Sequence, residues 1–405
     1  MTSSARPLTD VDFCSGSRIE EINKLLEELE RRESSTLQEK EVLQSCVQAK
    51  DLIFSLVGQI HPLPSPNAFL LLSGGLCSGL LDVSPTDLGT RTPFISYSIS
   101  YTLLVPILRL PSPDVLSQPC PCHYHLPISL WEKPHPELGS DGPHLTPDHV
   151  SQWFLPSFLS AVSSLRDSSP PLTLERADVW GNCASILLST SSALLIRFDI
   201  VPVVEVRGWP PGAQYLDDWL GEDGVPPQVF HLLPWGAEGQ WRVGFPGVEL
   251  YMRRYLHPTQ SRVLRASMAV LGPILQQHGG PGPYILWITL IHACERLPQG
   301  YLCQGQNAAS CFLGLLEELS LSFLRGSCPN PFLPGCDLLL GSAQGHYLAR
   351  KVSEVRTQPV YYLREVVREA KEVVREAKEV AKGEKVEKED IEEEEEERGS
   401  SCYPS

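Results

Sequence analysis

The sequence predicts an α+β protein in which helices flank a mixed β-sheet and a further group of helices forms a C-terminal lobe. Helical periodicity opens the chain, runs rich in Ile, Leu and Val occupy its middle, and helical periodicity returns from about residue 248. With 405 residues, of which 42% are hydrophobic, the chain is long enough to bury a full core in two or three structural units.

The first unit is predicted to be a helical region over residues 1–62. Within it, residues 18–58 repeat apolar positions at helical spacing with charged residues between them. The segment HPLPSPN, residues 61–67, ends this region because proline supplies no backbone donor to a helix.

The second unit, residues 63–247, is predicted to be an α/β core. Strand-like runs occur at 68–75, 95–108 and 185–206, while residues 111–148 form a Pro- and His-rich insert that predicts an exposed loop or linker. A helix is expected to begin at the end of this insert, with Thr146 as its N-cap and the following proline at its first position.

The remainder is predicted to comprise a helical lobe, a charged helix and an acidic tail. The lobe covers 248–358, and the segment 359–383 contains the heptad-like repeat VVREAKE over too few turns for a coiled coil. Residues 384–405 are expected to be disordered and solvated. The apolar stripes of the N-terminal helices and of residues 359–382 predict docking elements for protein partners.

Composition argues against nucleic-acid binding and against a membrane span. The net charge is −16, half of it from residues 384–397, and no basic surplus is present to meet a phosphate backbone. No apolar run approaches the roughly 20 residues that a spanning helix requires. The start has no apolar segment typical of a signal peptide, and the 12 cysteines are scattered, which predicts reduced thiols in the cytoplasm.

Two short motifs suggest ligand sites, each with a plainer interpretation. Ser73, Gly74 and Gly75 follow a strand-like run, but the segment lacks both the P-loop and the dinucleotide pattern, which favours a strand-end turn. The sequence CPCHYH supplies four zinc donors, yet their spacing is too tight for the usual paired motifs and favours a loop. These donors are Cys120, Cys122, His123 and His125.

One carboxylate stands inside an otherwise apolar strand. The segment LLIRFDIVPVVEVRGWP, residues 194–210, holds Asp199 between Phe198 and Ile200. A buried charge is costly without a partner, so this residue is either a metal ligand or a structural acid that is hydrogen-bonded to backbone donors or to an arginine. Two further acids on the predicted helices, Glu249 and Glu295, are expected to cap a helix, to pair with a nearby arginine or to line a helix seam.

Several blocks together resemble the Mab-21 family, whose members share the nucleotidyltransferase fold of cyclic GMP-AMP synthase. The matching segments are FDIVPVVEVRGWP, WRVGFPGVEL, YILWITLIHACERLP and NAASCFLGLLEELSLSFLRGSCPNPFLPGCDLL, and in this order they cover most of residues 68–340. The resemblance implies a nucleotidyltransferase-like sheet followed by a Mab-21-like helical lobe.

The resemblance also implies that catalysis has been lost. Active members hold two divalent cations with three carboxylates, because hard Mg²⁺ ions require anionic oxygen ligands. Asp199 matches the third of these positions, whereas Ser98 and Ser100 fall where the other two acids belong. The glycine block, SGG, reverses the family's Gly-Ser order. We therefore predict no catalytic residue, no metal and no cofactor.

The function implied by the resemblance is that of a catalytically inactive signalling adaptor. One branch of the family implies association with the common beta chain of cytokine receptors and an influence on apoptosis and leukocyte migration, from a cytoplasmic location with recruitment to the plasma membrane or mitochondria by partners. The alternative is a metal-dependent nucleotidyltransferase or nucleotide sensor that combines Asp199 with Asp82 or Asp87. A weaker alternative is a zinc-bearing nucleic-acid sensor that uses CPCHYH.

Overall fold

The computed structural model of the chain contains both a large sheet and packed helices, which confirms the α+β class. It describes residues 16–37, 40–60, 71–74, 98–131, 143–163, 172–190, 195–214, 228–234, 239–277, 282, 284–339 and 344–369. Gly75, Asp82 and Asp87, and the segment 370–405 with the predicted acidic tail, lie outside the described residues.

The described sheet has ten strands and is mostly antiparallel. Its central path runs β1-β2-β8-β9-β10-β4-β3, with β7 and then β6 branching from β8, and β5 pairing with β4. The strands are β1 Leu71–Gly74, β2 Ser98–Leu110, β3 Ser117–Cys120, β4 His123–Pro127, β5 His144–Leu145, β6 Leu172–Trp180, β7 Cys183–Thr190, β8 Leu195–Arg207, β9 Val229–Leu233 and β10 Trp241–Gly244.

The long strand β8 organises this sheet. One of its edges pairs in parallel with β2, while the other edge pairs antiparallel with β7 and then with β9. Its even-numbered residues, such as Phe198 and Val204, are fully buried in the main core. Because side chains alternate across a strand, the odd-numbered residues, including Asp199, face the opposite side of the sheet.

The helices cover one side of the sheet and build the C-terminal lobe, as the periodicity predicts. They are α1 Gly16–Leu37, α2 Lys40–Gly58, α3 Pro147–Ser163, α4 Pro246–Arg254, α5 Pro258–Gln277, α6 Tyr284–Arg296, α7 Gln299–Leu302, α8 Ala308–Arg325 and α9 Gly345–Thr357, and residues 359–369 form a last helical segment. The predicted start of α3 is confirmed: the backbone N–H of His149 donates to Thr146 Oγ1 at 3.2 Å.

Helix α1 is built into the C-terminal lobe. Its apolar residues Ile22 and Leu26 are fully buried, and Glu30 lies within 2.7 Å of two arginines of α5. In the segment 359–369, Leu363 is likewise fully buried. The apolar stripes of these two elements are occupied by the protein's own core, so the prediction that they serve as docking elements is wrong for their described residues.

The insert at 111–148 is only partly a loop. Residues 117–127 form the hairpin β3–β4, which joins the sheet through β10, and Val243 N–H donates to the carbonyl of Cys122 at 2.9 Å. The expectation of an exposed loop is therefore wrong here. Tyr124 and Leu126 are buried at alternate positions, so the period of two in this short stretch outweighs its flanking prolines.

Candidate functional site

Asp199 lies in the middle of a row of polar residues that crosses five strands, the outermost of which, β6, contributes Asp178 in register with Ser185. Its Cα is in register with Thr102 on β2 and with Ser185 on β7. Thr102 is in turn in register with Ser73 on β1. The sheet thus brings the predicted nucleotide-binding remnant Ser73 and the remnant acid Asp199 into one row, with a threonine between them.

The two predicted replacement serines are displaced along β2. Ser100 is opposite Arg197, two residues before the position in register with Asp199. Ser98 is opposite Leu195, a further two residues away. The residue in register with Asp199 is therefore Thr102, which sequence reasoning missed. The alternation Ser98, Ser100, Thr102 was the available signal, because these positions share one face of the strand.

Arg197 neutralises the charge of Asp199. The guanidinium Nε donates to Asp199 Oδ1 at 3.0 Å and to Ser185 Oγ at 3.1 Å, which ties β8 to β7 on this face. The Asp199 side chain is 27% exposed. The guanidinium neutralises the carboxylate charge, and its own positive charge disfavours the binding of a divalent cation at this site.

An apolar cluster lies alongside this polar row on the same strands. Leu104, Val201 and Val203 pack with the thiol of Cys183 on the face that carries Asp199. Burial and the nearby Asp199 carboxylate raise the pKa of Cys183, so this thiol stays protonated and is a poor metal ligand or nucleophile.

The candidate zinc donors do not converge. Cys120 Sγ lies 3.0 Å from His123 Nδ1, whereas Cys122 Sγ is directed at the carbonyl of Gly335, 3.9 Å away. The ring of His125 stacks on His144 with centroids 4.5 Å apart. Within the residues that the structure describes, no group of three or more His, Cys, Asp or Glu side chains is placed to hold a metal ion. Zinc binding by this hairpin is the less favoured interpretation of the motif, and metal analysis of the purified protein tests it.

The buried acid Glu249 has a structural role. It lies on α4 and accepts a hydrogen bond from the Tyr284 hydroxyl at 2.6 Å. Burial raises the pKa of Glu249, while the hydrogen bond from Tyr284 and the charge of Arg253 act in the opposite direction. These contacts confirm the expectation that Glu249 pairs with neighbours. Glu295 also has a neighbour, because His292 Nδ1 lies 3.7 Å from its carboxylate.

Comparison with known proteins gives relatives but no family model. No family model matches the chain. The chain is similar to Transmembrane protein 102 of Mus musculus, at 29% identity over 91% of this chain and 93% of the mouse protein. It is also similar to Transmembrane protein 102 of Bos taurus, at 28% identity over 91% of this chain and 93% of the bovine protein. In the part of the chain that the structure describes, no helix is long and apolar enough to span a membrane.

Proposed function

We propose that this protein is a catalytically inactive, nucleotidyltransferase-like scaffold that acts as a signalling adaptor. One observation carries the proposal: the Asp199 carboxylate is bound by Arg197 and flanked in register by hydroxyl residues, Thr102 and Ser185. Joining nucleotides by the two-metal mechanism requires several carboxylates around two cations. A carboxylate that already has a guanidinium partner supports a structural role for Asp199, and the other acid of the row, Asp178 two strands away, is likewise paired with Arg176.

The proposed partner is taken from the family resemblance of the sequence. The resemblance to one branch of the Mab-21 family is what supports association with a cytokine receptor common beta chain. On this proposal the protein works in the cytoplasm, reaches the plasma membrane or mitochondria through its partners, and influences apoptosis and leukocyte migration.

Calorimetry with ATP or GTP and Mg²⁺ tests the loss of catalysis. We expect no Mg²⁺-dependent binding heat and no nucleotide product from the wild-type protein. The variant Asp199→Asn is compared with Asp51→Asn, a control at an exposed position on α2, outside the row of polar residues. Mg²⁺-dependent turnover that is lost in Asp199→Asn and kept in the control would establish the rival enzyme, with Asp82 or Asp87 as further ligands.

A pull-down tests the adaptor role directly. The cytoplasmic part of the receptor beta chain is immobilised and exposed to purified wild-type protein and to Asp199→Asn. We expect equal retention of both proteins, because the proposed role does not use the carboxylate as a ligand. Failure of the wild-type protein to bind would refute the partner while leaving the loss of catalysis as a separate conclusion.

A further inference from the structure

The tip of the hairpin β3–β4 lies against residues 327–339 of the C-terminal lobe. A Cβ atom added to Gly335 would lie 2.9 Å from the Cβ of Pro121, which is closer than real side chains approach. Glycine is therefore required for the two backbones to come this close. The contact places Cys122, next to that proline, beside Cys336, next to that glycine.

The two thiols interact with each other and with an arginine. Cys122 Sγ lies 3.9 Å from the Gly335 carbonyl oxygen, and the largest influence on the pKa of each of the two thiols is the other thiol, which places the two sulfurs side by side. Arg242 of β10, one residue before the backbone N–H that binds the Cys122 carbonyl, brings its positive charge close to Cys336 and lowers the pKa of that thiol. Cys336 is 2% exposed, Cys122 is half-buried and Cys120 is exposed on the same hairpin.

This environment distinguishes Cys336 from the other buried cysteines. The hydrogen bond from Cys122 and the Arg242 guanidinium lower the pKa of Cys336 in spite of its burial. By contrast, burial raises the pKa of Cys311 and of Cys328 to about 12. The thiolate is the reactive form of cysteine, so the lowered pKa favours reaction at Cys336 over Cys311 and Cys328.

We propose that Cys122 and Cys336 are a redox modification site, at which a peroxide forms a reversible disulfide that joins the β3–β4 hairpin to the C-terminal lobe. The inference is independent of the adaptor role, since it rests on two thiols from different elements, a glycine–proline contact that holds them together and an arginine beside one of them. The described cysteines are all unpaired thiols, so the structure corresponds to the reduced form.

The reaction balances with hydrogen peroxide as the oxidant. The Cys336 thiolate attacks one peroxide oxygen, an S–O bond forms as the O–O bond breaks, and the leaving hydroxide takes the Cys122 thiol proton to depart as water. The Cys122 thiolate then attacks the sulfenic sulfur of Cys336, and the second hydroxide leaves as water with a proton from solvent. Two equivalents of a monothiol such as glutathione reverse the step and are oxidised to its disulfide.

Disulfide mapping on the full chain tests the proposal. Reduced protein is treated with hydrogen peroxide, remaining thiols are alkylated, and the linked peptides are identified by mass spectrometry. We expect a peptide pair linked through Cys122 and Cys336 that has lost two hydrogen atoms and disappears on treatment with glutathione. No such pair, or a link through Cys120 in its place, would overturn the proposal without any variant.

Variants then test which groups matter. Cys122→Ser and Cys336→Ser should each abolish the link, while Cys294→Ser, a half-buried thiol on α6, should retain it. Arg242→Gln should slow disulfide formation several-fold without changing its final extent. Thermal melting of each reduced variant checks that it folds. An unchanged oxidation rate in folded Arg242→Gln would remove the arginine from the proposal.

Discussion

We expect the folded protein to lose stability in mild acid because His231 is buried. It lies on β9 at 2% exposure, and neither ring nitrogen has a hydrogen-bond partner among the described residues. Burial lowers the pKa of His231 from 6.5 to about 4, because the imidazolium cannot be solvated there. Its register neighbour on β8 is Glu205, whose carboxylate is already paired with Arg109 at 3.4 Å.

The magnitude follows from the difference in pKa between the two states. Between pH 6.5 and about 4 the unfolded chain binds a proton at this residue and the folded chain does not, so the free energy of unfolding falls as the pH falls. The difference between a pKa of 6.5 in the unfolded chain and about 4 in the folded chain corresponds to about 3 kcal/mol of stability. This contribution is fully present above pH 6.5 and is lost as the pH falls to about 4.

The variant His231→Phe removes the titrating group and, since the ring nitrogens have no described partner, sacrifices no known hydrogen bond. Urea unfolding of both proteins is measured between pH 7 and pH 4.5. The wild-type protein should lose about 2–3 kcal/mol more than the variant over this range. His346→Gln, an exposed position in α9, is the control and should follow the wild type. A wild-type and variant difference that stays constant within about 0.5 kcal/mol would refute the assignment of a buried neutral imidazole.

Two packing predictions follow from helix contacts in the C-terminal lobe. A Cβ at Gly345 would lie 2.4 Å from the carbonyl oxygen of Phe323, so Gly345→Ala should lower the free energy of unfolding by about 1–3 kcal/mol, whereas Gly300→Ala, with nothing within 4 Å, should not. Glu30→Ala should lower the free energy of unfolding by about 1–3 kcal/mol, because it leaves two largely buried arginines of α5 without this partner. Its control is Glu27→Ala, which should lower the free energy of unfolding by less than about 1 kcal/mol because the Glu27 side chain is 51% exposed. Chemical denaturation measures both pairs, and equal losses within either pair would contradict the contacts.

The fold class and most helices could be predicted from the sequence because their signals are local. The helical spacing of apolar residues predicted α1, and the capping residue Thr146 predicted the start of α3. The hairpin β3–β4 was missed because its stability comes from pairing with β10, more than 110 residues later, and prolines dominate the local pattern.

The site was predicted in part for the same reason. Asp199 is conspicuous in a sequence as an acid among apolar residues, and its role as an ion-pair partner follows from the cost of burial. Thr102 could not be assigned, because its strand ends more than 80 residues before β8 begins and local sequence does not fix their register. Ser185 is only 14 residues before Asp199, but the register of the β7–β8 pairing still decides that it flanks the acid. Arg197 is two residues away on the same strand face and was the one partner that spacing could have identified.

The burial of α1 within the C-terminal lobe has a consequence for biosynthesis. Its partner α8 begins at Ala308, about 270 residues after α1 ends, and at roughly 5–20 residues per second the ribosome needs tens of seconds to add them. Throughout that interval the apolar stripe of α1 lacks this native cover, so it is exposed to non-native contacts until α8 has been synthesised.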